Sequence, residues 1–130
     1  MVAKADTTRT FKTAWFSRAA RKARIGDAEL CRAIAEVMNG QADDLGGGVY
    51  KKRLNRNMHR SIILAKGGRF WFYAYLFAKK DRANIDDSEL ADFRTLEKSY
   101  ASLNGTLIAR LIEDEELTEI CHDGPHQVQE

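Results

Sequence analysis

Ten lysines and arginines fall between residues 48 and 82 of this 130-residue chain, against a single acid, Asp81. They are grouped. Lys51, Lys52, Arg53, Arg56, His59 and Arg60 form one run, and Lys79, Lys80 and Arg82 a second. Between the two lies the aromatic stretch Phe70-Trp71-Phe72-Tyr73-Ala74-Tyr75-Leu76-Phe77. Cations neutralise backbone phosphates, and aromatic faces stack unpaired bases, so this composition predicts a surface for single-stranded RNA. Lys51, Arg53, Arg56, Lys80, Tyr73 and Tyr75 are the expected RNA contacts. Phe70, Trp71 and Phe72 taken singly read as core, and the competing reading of the cations is that they solvate strand ends.

No nucleophile–base pair stands out, and there is no GxSxG, P-loop or HExxH spacing. His59, inside the basic run, is the one candidate general base, its pKa open to depression by neighbouring cations. Cys31 and Cys121 form no CxxC and do not group with His59, His122 and His126, so no metal and no cofactor is expected. The amino-terminal stretch lacks the apolar core of a secretory signal and no apolar run reaches the ~20 residues that span a bilayer, which predicts a cytoplasmic protein with reduced thiols and no membrane partner.

Charge divides along the chain. Residues 1–82 hold 18 Lys/Arg and 7 Asp/Glu, a net +11, whereas residues 83–130 hold 3 and 12, a net −9. A segregation of this size suggests a polyanionic partner for the basic part.

The elements that must position these residues are legible from periodicity. Trp15, Phe16, Ala19, Ala20 and Ala23 predict a helix over residues 13–24. Asp27 is expected to cap a second helix with Leu30, Ile34, Val37 and Met38 on one stripe and Asn39-Gly40 as its stop. Asp44 to Gly48 reads as a flexible entry to a strand at 49–54, followed by strands at 60–66 and 69–79 joined by a Gly67-Gly68 turn. Ile85 to Leu90 carries a capping-box pattern, with Asp86 as N-cap and Glu89 reaching back, ahead of the stripe Leu90, Phe93, Leu96, Tyr100 and Leu103. Residues 106–119 form a further amphipathic, acidic stretch that either folds over the basic sheet or packs on its own apolar stripe.

The order helix–helix–strand–strand–strand–helix, with the segments Asp44-Leu45-Gly46-Gly47-Gly48-Val49-Tyr50-Lys51-Lys52-Arg53 and Phe77-Ala78-Lys79-Lys80-Asp81-Arg82-Ala83-Asn84-Ile85, resembles the RelE/HigB-like toxins of bacterial type II toxin–antitoxin pairs. The resemblance implies an α+β, RelE-like domain over residues 1–104, two helices packed on a three- to four-stranded antiparallel sheet and a helix after it, with residues 105–130 as an acidic extension. It implies mRNA cleavage without a metal, commonly on the translating ribosome, and a cognate antitoxin, often of helix-turn-helix type. By resemblance, Lys51, Lys52 and Arg53 fall on the strand platform, Arg60 on the adjoining strand, and Lys79 and Arg82 at the edge of the third; Lys52, Arg60, Lys79 and Arg82, with His59 as the base named above, are the catalytic candidates. The chain departs from the pattern at Asn55-Arg56-Asn57-Met58-His59, where a longer Gly-rich connection ending in an aromatic is expected. A gyrase-directed ParE-like toxin on the same fold, and a non-catalytic nucleic-acid-binding module, are the alternatives.

Overall fold

Thr13 ends a short strand and starts a helix: its extended backbone leaves the hydroxyl Oγ1 to accept from the N–H of Phe16 at 3.1 Å. In the computed structural model, which describes residues 8–66 and 69–121, that strand is β1 (Arg9–Thr13) and the helix is α1 (Ala14–Ala23). α1 closes with Arg24 in the left-handed region, Ile25 N–H bonding back to Ala20 O at 2.9 Å, a Schellman-type end that lets α2 (Asp27–Met38) turn back. The N-cap of α2 is Gly26 and not Asp27, which lies one residue inside and instead accepts from Lys12 Nζ at 2.8 Å. Gly40, at φ +88°, supplies the expected stop.

The sheet is larger than the expected three or four strands. β2 (Asp43–Gly46), β3 (Val49–Leu54), β4 (His59–Lys66), β5 (Phe70–Ala78) and β6 (Leu117–Ile120) join β1 in the order β2-β3-β4-β5-β1-β6. It is also mixed: β1 runs parallel to β5 and antiparallel to β6. Asp44 to Gly46, expected as a flexible entry, belongs to a paired strand. Gly46, Gly47 and Gly48 all hold positive φ in the β2–β3 turn, and a Cβ on Gly48 would come within 2.9 Å of the Ala65 carbonyl oxygen. The expected Gly67-Gly68 turn lies outside the described residues.

Two helices cover each face. Phe16 and Ala20 of α1 and Leu30, Ala33, Ile34 and Val37 of α2 pack on Leu54, Ile63, Trp71, Tyr73 and Leu76. α3 (Asp87–Ala101) and α4 (Gly105–Glu113) bring Leu90, Phe93, Leu96, Tyr100 and Ile108 against Phe11, Val49, Ile62, Leu64, Phe70 and Phe72 on the other. α3 begins with the complete capping box, Asp86 accepting from Glu89 N–H at 2.8 Å and Glu89 from Asp86 N–H at 2.9 Å.

Residues 105–120, set apart above on composition, supply α4 and β6. The helix stops where Glu115 takes φ +64° and Glu116 N–H returns to Leu111 O, which frees Leu117 to enter the sheet beside β1. Arg9 then grips Glu119 with Nε and NH2 at 2.9 and 2.7 Å, a fork that holds the Arg9 pKa above its ordinary value, mainly through the hydrogen bond. β6 also brings Cys121 to Cys31 on α2, and the two form a disulfide across 90 residues. The expectation of two separate reduced thiols is corrected here. Their meeting depends on β6 lying at the sheet edge, which spacing alone does not disclose.

Candidate nucleic-acid interface

Side chains on a strand alternate between faces, and direct partners on adjacent strands share one. Arg53 pairs with Arg60, and Arg60 with Phe77; Lys51 pairs with Ile62, and Ile62 with Tyr75. Because Ile62 and Phe77 belong to the cluster beneath α3 and α4, the three cations Lys51, Arg53 and Arg60 lie on that face, towards its β3–β4 hairpin end.

A bulge decides which aromatics accompany them. The β4–β5 register shifts between Ile62 and Ile63, so that Ile62 opposes Tyr75 and Ile63 opposes Tyr73. One extra residue in a strand reverses the alternation beyond it. Trp71 and Tyr73 therefore face α1 and α2, whereas Tyr75 and Phe77 face the side of Arg60. Tyr73 is corrected from an RNA contact to a core residue: it is fully buried, its hydroxyl donates to Leu30 O at 2.8 Å, and burial pushes its pKa far up. Tyr75 is half-buried, stacked 4.9 Å from the ring of Trp15 and 5.7 Å from that of Phe93.

Each cation of this face is positioned differently. Lys51 donates to Asn84 Oδ1 at 3.2 Å, with Asp43 3.8 Å away. Arg60 NH1 reaches back to Asn57 O at 3.0 Å. Arg53 is exposed and has no ion pair among the described residues. Arg82, in the link from β5 to α3, stands 5.5 Å from the Phe77 ring centroid and forks onto both carboxylate oxygens of Glu89. That pairing raises the Arg82 pKa and lowers that of Glu89, in each case chiefly through the side-chain hydrogen bond. The capping-box acid of α3 thus also anchors a cation at the site.

The remaining candidates go elsewhere. Lys52 lies on the opposite face, bonded to Glu36 at 2.7 Å and to Gln41 O at 2.9 Å, where it ties β3 to α2. His59 pairs with Leu54 and Ala78, on the α1 side, one residue and one face away from Arg60. Its Nδ1 lies 3.1 Å from Asn55 Nδ2. Arg56, Lys79 and Lys80 are exposed at the same end of the sheet, beside His59. Sequence reasoning missed Asn84 and Glu89 as members of the site. Glu89 was visible as a cap residue, but its second bond to Arg82 depends on how the β5–α3 link folds.

Comparison with protein families gives a match over residues 8–120 to the family described as the RelE toxin of the RelE / RelB toxin-antitoxin system. Comparison with curated proteins and with solved structures gives no match.

Proposed function

The chain belongs to the RelE toxin family of toxin–antitoxin systems, and from that premise we propose that it is an mRNA endoribonuclease that stops translation, acting on ribosome-bound message. Family membership brings a cognate antitoxin; we take this to be a small helix-turn-helix protein. The observation that carries the reading is the placement of Lys51, Arg53 and Arg60 on one sheet face beside Tyr75 and Phe77, with Arg82 of the β5–α3 link over the Phe77 ring.

The chemistry asks little of the protein. The 2′-OH of the RNA attacks the adjacent phosphorus, the bond to the 5′ oxygen breaks, and negative charge grows on the phosphoryl oxygens. Arg53 and Arg60 stabilise that charge as it develops, a contribution realised in the transition state. Arg82, held by Glu89, and Lys51, held by Asn84, are pre-organised phosphate ligands. Tyr75 offers the face on which a base stacks. The proton of the attacking hydroxyl passes to water, and the departing 5′ oxygen takes one from water to leave as a 5′-OH. Lys52 and Tyr73 serve the fold, and His59, Arg56, Lys79 and Lys80 lie away from the cleavage point.

The test is induced expression followed by mapping of new mRNA 5′ ends. The wild type is expected to produce cuts within translated regions, and Arg53→Ala with Arg60→Ala to lose them and relieve growth arrest. Intact mRNA with arrested replication would favour a gyrase poison instead. Harmless expression with RNA bound but uncut would favour a binding module.

A further inference from the structure

The end of the sheet that carries Arg53 and Arg60 continues around its hairpin into a groove of about 580 Å³ on the α1 side. Its wall contains Lys22 from the last turn of α1, Arg56, Met58 and His59 from the β3–β4 hairpin, and Lys79 and Lys80 after β5. No acid lines it. Lys22, Arg56, Lys79 and Lys80 are exposed and have no ion pair among the described residues, unlike Lys51, Lys52 and Arg82. Unscreened like charges converging on one concavity raise its positive potential.

The hairpin holds Arg56 in place at a conformational cost. Asn55, Arg56 and Asn57 take φ of 54°, 54° and 70° in succession, a left-handed run that asparagine tolerates but arginine disfavours. It is fixed by surrounding bonds: Asn55 N–H to the Glu29 carboxylate, Met58 N–H to Asn55 O at 3.0 Å, Lys79 N–H to Met58 O at 2.9 Å, and Arg60 to Asn57 O. Met58, 58% exposed, is an apolar surface between these cations. A ligand with repeated anionic groups and apolar faces between them matches that alternation.

Resting on the RNA reading above, we propose that this groove is a second, non-catalytic RNA subsite, which takes the backbone phosphates of the single strand flanking the cleaved position. His59 and Arg60 are consecutive but face opposite sides of the sheet, so a strand bound at Arg60 enters the groove by bending over the hairpin end. Lys22, Arg56, Lys79 and Lys80 neutralise its phosphates, the His59 ring lies beside them in the groove wall, and Met58 packs against a base or sugar. The substrate is therefore a continuous single strand longer than the scissile dinucleotide.

The test compares a 3-nucleotide and a 12-nucleotide single-stranded RNA, both 2′-O-methylated to prevent cleavage, in binding to the full chain. In the Lys22→Glu/Lys80→Glu double variant the 12-mer is expected to bind at least 10-fold more weakly, with a shallower salt dependence, while the 3-mer changes less than about 2-fold. An unchanged thermal melt shows that the variant folds. Tight 12-mer binding by the wild type that the variant retains overturns the groove and leaves the cleavage site standing. A wild-type protein that binds neither RNA likewise overturns the groove, while cleavage of ribosome-bound message, assayed separately, decides the reading it rests on.

Discussion

Arg53 and Arg60 stand directly opposite each other across the β3–β4 ladder. Like charges at such a position repel, at a cost of roughly 0.2–1 kcal/mol, where an opposite pair would contribute about as much. A protein that keeps this arrangement loses stability in its isolated state and regains it when a polyanion lies over the pair. Arg53→Glu is therefore expected to raise the melting temperature slightly while abolishing RNA cleavage. Calorimetry and an RNA-cleavage assay on the same preparation check both halves; a variant that is less stable and still active contradicts the assignment.

The disulfide between Cys31 and Cys121 closes a loop of 90 residues and pins the end of β6 to α2. Loop-closure entropy predicts a stabilisation of roughly 4–5 kcal/mol for a loop of that length. Urea unfolding with and without dithiothreitol measures it. The midpoint is expected to fall on reduction in the wild type and to be indifferent to reductant in Cys31→Ser/Cys121→Ser.

Tyr73 separates core from interface. Removing its hydroxyl loses a buried hydrogen bond to the Leu30 carbonyl, which keeps its helical partner, at a cost of about 0.5–1.5 kcal/mol. Tyr73→Phe should thus unfold at lower denaturant yet cleave RNA as the wild type does under native conditions. Tyr75→Ala should lower stability and cleavage together, since its half-buried ring packs on Trp15 and Phe93 and also borders the proposed site.

Glu89 links stability to acidity. Its folded pKa lies below the ordinary 4.5, held down first by Arg82 and then by the backbone N–H of Asp86. A depressed carboxylate contributes stability that is complete above its unfolded pKa and is lost as pH falls through the folded one. The contribution from Glu89 is then present at pH 6 and fades below pH 4.5, so Glu89→Gln should be less stable at pH 6 and converge on the wild type in acid. Melting curves from pH 3 to 6 follow this; a constant gap across the range would contradict it.

Local signals disclosed much of this fold. The caps of α3, the glycine stop of α2 and the apolar stripes of the helices depend on neighbours within a turn, and all can be read from spacing. The misses share another cause. β1 and β6 are five and four residues long and gain their hydrogen bonds only from each other and from β5, so nothing local marks them as strands. The same holds for the disulfide and for the Arg82–Glu89 fork. The basic cluster was legible as composition, but not its division between faces: alternation sends Lys52 and His59 away from Arg53 and Arg60, and the β5 bulge buries Tyr73 while leaving Tyr75 at the site.

The central claim is that the RNA's own 2′-OH is the nucleophile and that Arg53 and Arg60 stabilise the result. The ends of the RNA fragments produced when the purified protein is added to translating ribosomes carrying a defined message test it most directly. Attack by the 2′-OH leaves a 2′,3′-cyclic phosphate on one fragment and a free 5′-OH on the other, and the yield should collapse in the Arg53→Ala/Arg60→Ala variant. Fragments ending in a 5′-phosphate, or full cleavage by that variant, would contradict it.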